Sequence, residues 1–227
     1  MQLLTTSDGS NTLFSEQFNE IYHSLNGAIR ESQHVFIESG LKFLLRSGAN
    51  NFEDTPLKIF EPGFGTGLNA WLTLIESQRN KFRIYYETAE LYPLDMDVVK
   101  ELNYTALIEN EKFRPSFHSL HLCSWNAMHE INSLFCFKKA DKSFFDMKLE
   151  SQQFNLVYFD AFAPETQPEM WSINIMQKMF DCLIPGGVLV SYCSKSLFQR
   201  NLKAAGFTVE KLPGPPGKRE MVRAHKK

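Results

Sequence analysis

From Leu57 onward, short apolar runs alternate with longer stretches whose apolar residues recur at helical spacing. That alternation predicts a doubly wound α/β sheet. Leu57 to Pro62 reads as the first strand and Thr66 to Gln78 as the first helix. Phe82 to Glu90 and Pro93 to Glu109 repeat the unit, followed by a third strand at Phe117 to Cys123 and a short helix at Met128 to Leu134. Phe135 to Glu150 fits an extra β excursion or a loop. Phe154 to Phe159 is almost continuously apolar, the pattern of a strand buried on both faces at the centre of a parallel sheet. Met170 to Leu183 is helical and ends at Pro185-Gly186-Gly187; Val188 to Tyr192 is a fifth strand, and Lys195 to Ala205 is a helix stopped by Gly206. Phe207 to Leu212 and Glu220 to Ala224 form a closing pair across the Pro213-Gly214-Pro215-Pro216-Gly217 turn.

Residues 1–56 follow a different rhythm. Ser7-Asp8-Gly9-Ser10 is a turn between alternating segments and predicts a hairpin, with Ser15 to Ser24 as a short helix or connector. Ser32 to Leu41 leads into an apolar helix that runs to about Arg46, and Gly48 to Pro56 is polar. The expectation is an N-terminal hairpin and helical extension over 1–56, packed on a main domain over 57–227. A length of 227 residues suits one sizeable domain with small additions.

Composition narrows the setting. No apolar stretch approaches the ~20 residues that span a bilayer, and Met1 to Gly9 lacks the basic start and apolar core of a signal peptide. The four cysteines (Cys123, Cys136, Cys182, Cys193) contain no C-x-x-C pair and predict reduced thiols in a cytoplasmic protein. A net charge of −2 argues against a broad electrostatic clamp on nucleic acid but leaves room for a local patch. Residues 218–227 carry five Lys or Arg against one Glu, either a solvated tail or one wall of a polyanion site.

The candidate chemistry starts at Glu61-Pro62-Gly63-Phe64-Gly65-Thr66-Gly67-Leu68-Asn69. Glycine is required where backbone takes positive φ or lies against a ligand. A dinucleotide site wants G-x-G-x-x-G, and here the sixth position is Leu68, with the third glycine one residue early. An acidic residue followed by G-x-G-x-G resembles the first motif of S-adenosylmethionine-dependent methyltransferases. Glu61 suits a ligand that carries an ammonium and a sulfonium, whereas it would repel a pyrophosphate.

Ligands of open α/β sheets bind at the carboxyl ends of the strands. Glu90, about twenty residues past the glycines, ends the second strand and is placed to accept hydrogen bonds from ribose hydroxyls. Ser124-Trp125-Asn126 follows the third predicted strand, where Trp125 or Asn126 would contact adenine. Asp160-Ala161-Phe162-Ala163-Pro164 follows the central strand. An unpartnered carboxylate there would cost several kcal/mol, so Asp160 should have a specific partner, either as a turn aspartate or as the acceptor that orients a nucleophile. His118 and His121 flank Cys123 in what reads as a strand, and no further ligand stands at zinc-like spacing. They read as structural, with no metal.

Several motifs together resemble one family. Glu61 to Asn69 is similar to its E-x-G-F-G-T-G-L-N signature and Glu90-Leu91-Tyr92-Pro93-Leu94 to its E-x-[FY]-P-L. Tyr158 to Pro164, followed by Met170-Trp171, resembles its [FY]-[LF]-D-G/A-F-A-P…M-W; Lys218-Arg219-Glu220-Met221 resembles its K-R-E-M. On these motifs the chain is identified as a member of the tRNA wobble-uridine 5-aminomethyl methyltransferases, which occur fused to a flavin oxidase domain in MnmC and as stand-alone chains. The resemblance runs from about Ser32 to Met221. It implies a Rossmann-like fold, S-adenosylmethionine as cofactor, and N-methylation of 5-aminomethyl-(2-thio)uridine in tRNA. It also implies Asp160 as the catalytic aspartate, in contact with the cofactor too, and Glu61, Gly63, Phe64, Gly65, Gly67, Asn69 and Glu90 around the cofactor. Phe162, Pro164, Lys218 and Arg219 would meet the substrate, with Lys218 and Arg219 on tRNA phosphates beside Arg200, Lys203, Arg223, Lys226 and Lys227. No oxidase segment is present, so a separate enzyme would supply the amine. Two other readings stay open: a small-molecule amine methyl- or aminopropyltransferase on the same scaffold, and a non-catalytic nucleotide-binding domain.

Overall fold

The computed structural model describes residues 1–47, 55–108 and 111–227, so the expected polar segment from Gly48 lies mostly outside the described residues. The chain opens with strands β1 (Gln2–Thr5), β2 (Asn11–Ser15) and β3 (Glu20–Ile21), an antiparallel sheet of their own. The expected hairpin is present, and Ser15 to Ser24, expected as a short helix or connector, is a connector that carries the two-residue strand β3. Next come helix α1 (Ala28–Ser32), a π-helical stretch over Gln33–Lys42 and helix α2 (Phe43–Ser47), so helix begins earlier than the apolar pattern indicated. Gly40 sits where this wide helix meets the main sheet: a Cβ there would lie 3.0 Å from Val190 and 3.4 Å from Tyr158.

The alternating units follow: β4 (Leu57–Pro62), α3 (Leu68–Asn80), β5 (Ile84–Glu90), α4 (Met96–Lys100), α5 (Tyr104–Leu107) and α6 (Arg114–Leu122). Then come β6 (Met128–Asn132), β7 (Phe135–Asp141), β8 (Phe154–Tyr158), α7 (Ile173–Cys182), β9 (Leu183–Ser191), α8 (Ser196–Ala204), β10 (Thr208–Pro213) and β11 (Glu220–His225). The main sheet has the order β10-β11-β9-β8-β4-β5-β7-β6. Strands β9, β8, β4, β5 and β7 run parallel; β6, β10 and β11 pair antiparallel at the edges. The chain crosses from one half of the sheet to the other between β4 and β8, and the crevice opens at their carboxyl ends. Val35, Phe36, Leu41 and Leu44 of the N-terminal helical segment share one core with Ile59, Tyr158 and Val190.

Two predicted elements are exchanged. Phe117 to Cys123 is helix, with Phe113, Phe117 and Leu120 buried at helical spacing and Pro115 in its first turn. Met128 to Asn132 is strand, and β7, expected as an excursion, is the third parallel strand. Lys139 disguised it. Phe135, Phe137 and Lys139 alternate inward, yet Lys139 is fully buried, its ammonium donating to the His121 carbonyl and lying 4.3 Å from the centre of the Trp125 ring. The helix over Pro93 to Glu109 is broken into α4 and α5. Pro185-Gly186-Gly187 is not a turn between elements but an irregularity inside β9, where the register against β8 jumps from Leu183 to Val188.

The basic tail is also corrected. Arg223 is only 9 % exposed; its Nε and Nη2 donate to Glu210 Oε2 at 3.0 and 2.8 Å, and Nη1 donates to the Ser39 carbonyl at 3.2 Å. The Lys226 ammonium is spent on the Phe180 and Leu183 carbonyls, both at 2.8 Å, near the end of α7. Neither side chain is available to a phosphate. Arg223→Ala is expected to cost about 2 kcal/mol, or ~4–8 °C in thermal midpoint, and to leave the salt dependence of RNA binding unchanged. Thermal denaturation and a salt titration check both parts.

Candidate active site

At the carboxyl end of β4 the buried Glu61 carboxylate takes two hydrogen bonds: Asn69 Nδ2 to Oε1 at 2.8 Å and Tyr86 Oη to Oε2 at 2.7 Å. The same Asn69 amide donates to Asp160 Oδ2 at 2.8 Å. One amide therefore ties the carboxylate after β4 to the carboxylate after β8, across the switch in strand order. Because the amide must turn its NH2 toward two acceptors, its oxygen faces away, and Asn69 Oδ1 is buried without a partner. Burial pushes the Glu61 carboxyl well above the usual range, against the two donors that favour its charge. Asp160 is pushed up to about 7, first by burial and then by the Glu31 carboxylate, with the Asn69 hydrogen bond and Lys218 opposing.

The glycine turn is built for close approach. Gly63, Gly65 and Gly67 have φ of 93°, 51° and 72°, a region side chains avoid. A Cβ on Gly63 would meet nothing within 4 Å, and one on Gly65 would come 3.3 Å from the Tyr22 ring. Glu90 braces this turn from β5: Oε2 accepts from Gly65 N at 2.9 Å and Oε1 from Tyr92 N at 2.8 Å.

The cavity above these groups has a volume of about 490 Å³, ordinary for a small-molecule site. Its lining carries the carboxylates Glu20, Glu31, Glu61, Glu90 and Asp160 against a single lysine, Lys218. His23 adds no charge at neutral pH, since burial pushes its pKa down to about 4. Such a lining attracts cations and repels phosphates. The roof comes from the N-terminal segment: Phe18 and Tyr22 pack on Phe162 at 5.0 and 5.1 Å between ring centres, and Thr166 donates to Glu20 at 3.1 Å.

Residues 115–227 match a family model described as S-adenosyl-L-methionine-dependent methyltransferase. Over 93 % of its length the chain is 31 % identical to a Leptospira borgpetersenii protein named tRNA 5-methylaminomethyl-2-thiouridine biosynthesis bifunctional protein MnmC, of which it covers 33 %. A Nitrosospira multiformis protein of the same name is 29 % identical over 92 % of this chain and 34 % of its own. The crystal structure of MNMC2 from Aquifex aeolicus superposes with a TM-score of 0.79 at 25 % identity, covering all of this chain and 70 % of that one. The chain is an S-adenosylmethionine-dependent methyltransferase, similar over nearly its whole length to part of the proteins named MnmC. It spans about a third of the length of the curated MnmC relatives it matches.

S-adenosylmethionine fits this methyltransferase site on the structure's own terms. The orphaned Asn69 Oδ1, beside two carboxylates, is an acceptor for an ammonium, and the open Gly63 position leaves room for a ligand against the backbone. Of the residues expected around it, Glu61, Gly63, Phe64, Gly65, Asn69, Glu90 and Asp160 line the cavity. Gly67 does not. It serves the turn, because a Cβ there would sit 2.8 Å from both Phe64 and His121.

Trp125 and Asn126 are corrected: they follow a helix, not the third strand, and neither lines the cavity. Trp125 lies under Lys139, and Asn126 braces β7 through its N–H to the Lys139 carbonyl at 2.8 Å. Ser143, Phe144 and Phe145, after the true third strand, line the cavity instead. His121 and Cys123 share no strand face; His121 Nε2 sits 3.1 Å from the Thr66 carbonyl. Phe162 and Lys218 reach the cavity, whereas Pro164 and the exposed Arg219 are not among its lining residues. Sequence reasoning missed Tyr192 although the strand-end rule pointed to it, since it directly follows β9. It also missed Phe18, Glu20, Tyr22 and Glu31, for which no local signal exists.

Proposed function

We propose that this methyltransferase moves a methyl group from S-adenosylmethionine to the primary amine of 5-aminomethyl-(2-thio)uridine at the tRNA wobble position. The observation that carries the reading is Asp160, tied by Asn69 to the glycine-turn strand and set in an acidic cavity roofed by aromatic rings. S-adenosylmethionine, when bound, supplies an electrophilic methyl group. Gly63, Gly65, Asn69 and Glu90 are the residues to hold it, with Phe144 and Leu91 as apolar wall.

A free alkylamine is an ammonium at neutral pH, with a pKa near ~10. The acidic lining draws that cation in, and one ammonium proton passes to water to free the lone pair. An ionised Asp160 accepts a hydrogen bond from a remaining N–H, and S-adenosylhomocysteine leaves as the N–C bond forms. An Asp160 with a pKa of about 7 is poised between charge states near neutrality, and alignment of the nitrogen is its main contribution. The Phe162, Tyr22 and Phe18 rings exclude water and offer faces to a flipped-out base, as aromatic side chains do in single-stranded RNA recognition. The relatives named MnmC support tRNA as the polymer.

Phosphate contact falls to the exposed Arg200, Lys203 and Arg219. Reversing Lys203 and Arg219 to Glu is expected to weaken tRNA binding and flatten its log–log salt slope by ~1–2. We place the enzyme with tRNA in the cytoplasm; among the described residues no helix is long and apolar enough to cross a membrane.

The test is direct. Purified protein, labelled S-adenosylmethionine and tRNA carrying the 5-aminomethyl group should yield the 5-methylaminomethyl nucleoside by mass spectrometry. Label that enters a polyamine and not tRNA would favour the small-molecule reading.

A further inference from the structure

The far wall of the cavity is an ion pair assembled from the two ends of the chain. Glu31, on α1, is 7 % exposed; its Oε2 accepts from Ser24 N at 2.9 Å, and its Oε1 accepts from Lys218 Nζ at 2.5 Å. Lys218 lies in the turn between β10 and β11, and its ammonium also sits 3.6 Å from the centre of the Tyr192 ring. Tyr192 Oη in turn donates at 2.9 Å to the carbonyl of Ala161, the residue after Asp160. The turn is pressed onto the N-terminal segment: a Cβ on Gly217 would come 2.1 Å from Asn26 Nδ2. Glu31, Lys218, Tyr192 and Asp160 all line the one cavity.

Asp160 therefore stands among groups of opposite effect. Glu61 from β4, Glu90 from β5 and Glu31 from α1 are carboxylates, Asn69 from α3 donates a hydrogen bond, and Tyr192 follows β9. Lys218 is the one cation among the described lining residues. Without it, nothing but the Asn69 hydrogen bond would favour the charged form of Asp160. We propose that Lys218, anchored by Glu31 and seated on the Tyr192 ring, is a positioning residue for the transfer: it keeps the Asp160 carboxylate ionised, and its loop in place, where the substrate amine arrives. It acts through Asp160 and touches neither reacting atom. The inference rests on the methyl-transfer reading above.

The two partners bias Asp160 in opposite directions, and that opposition is the test. In protein labelled with 13C at the aspartate carboxyl, the resonance lost in Asp160→Asn identifies Asp160, with an expected midpoint of about 7 in the wild type. Lys218→Met should raise that midpoint by ~1 unit, and Glu31→Gln, which removes the larger of the two influences, should lower it by ~1–1.5 units. Lys218→Arg keeps the charge and should hold the midpoint within ~0.3 unit. In parallel, Lys218→Met should lower kcat at pH 7 by ~5–10-fold with recovery toward pH 9, while the KM for S-adenosylmethionine stays within about twofold. The carboxyl titration is made without substrate, so movement of that midpoint belongs to the protein and not to the amine. Midpoints that stay put, or that move the same way in Lys218→Met and Glu31→Gln, overturn the inference. Should Lys218→Met not fold, Lys218→Gln, which also removes the charge but keeps a polar end for Glu31, carries the same decision against Glu31→Gln. The carboxyl titration needs neither cofactor nor substrate, so a wild-type protein that fails to methylate tRNA would count against the proposed function and leave this result standing.

Discussion

Asp160→Ala is expected to lower kcat for methyl transfer by ~10²–10³-fold while S-adenosylmethionine affinity falls by less than about tenfold. The reason is geometric: Asp160 is fixed by Asn69 Nδ2 at 2.8 Å and is the acceptor at the carboxyl end of β8, whereas the turn around Gly63 and Gly65 is held from β5. Asp160→Asn separates charge from shape. It keeps an oxygen for Asn69 and loses the carboxylate, so activity should drop nearly as far. Its effect on stability has the opposite sign. Unfolded, this carboxyl titrates near the usual 3.8, and folded it titrates at about 7. Between those values the folded chain retains a proton that the unfolded chain has lost, so stability falls as pH rises from about 4 to 7 and is flat above. Removing the charge relieves about 1–2 kcal/mol after allowance for solvent screening, a rise of ~2–8 °C in thermal midpoint at pH 8. A variant that is inactive and less stable at pH 8 would sink this account of Asp160.

Glu90→Ala should act on the other half of the site. Its two oxygens hold Gly65 N and Tyr92 N at 2.9 and 2.8 Å, Glu90 lines the cavity, and each carboxylate oxygen has a second lone pair to offer a ribose hydroxyl. Hydrogen bonds to a charged group are worth ~1.5–3 kcal/mol each. Losing a pair of them, and the brace on the turn, is expected to raise the Kd for S-adenosylmethionine by ~10²-fold or more. At saturating cofactor, kcat should stay within about fivefold of wild type, because Asp160 and Asn69 are untouched. Calorimetry gives the first quantity and single-turnover kinetics the second. The Asp160 and Glu90 variants therefore fail in different columns, one in kcat and one in Kd.

How much of this was legible beforehand varies along the chain. Leu57 to Asn69 was largely plain, because a short mostly apolar strand, a carboxylate and three spaced glycines admit few backbones, although the helix starts at Leu68 rather than Thr66 and Gly67 serves the turn. Phe154 to Asp160 was equally plain. The stretch from Phe117 to Asp141 misled for two reasons: Phe117 to Cys123 has a spacing that serves helix and strand alike, and Lys139 places an ammonium at an inward position of β7. Only the partners of Lys139, the His121 carbonyl and the Trp125 ring, make that position tolerable, and they come from the last turn of α6 and the turn that follows it. The misplaced strand took the expected adenine contact to Trp125, whereas the residues after β7 that line the cavity are Ser143, Phe144 and Phe145. The basic tail misled for a similar reason, since Arg223 and Lys226 look like surface charge until Glu210, Phe180 and Leu183 are seen around them.

Local covalent order was enough to settle strand β4 with its glycine turn and the apolar strand that leads to Asp160, since each is encoded by residues within about ten positions of one another and by backbone rules that need no partner. Tertiary structure alone decided which charges meet. The Asn69 bridge spans ninety-one positions to Asp160, and Lys218 reaches across one hundred and eighty-seven to Glu31. Electrostatic energy depends on distance in space and on exclusion of water, neither of which a linear string of residues specifies.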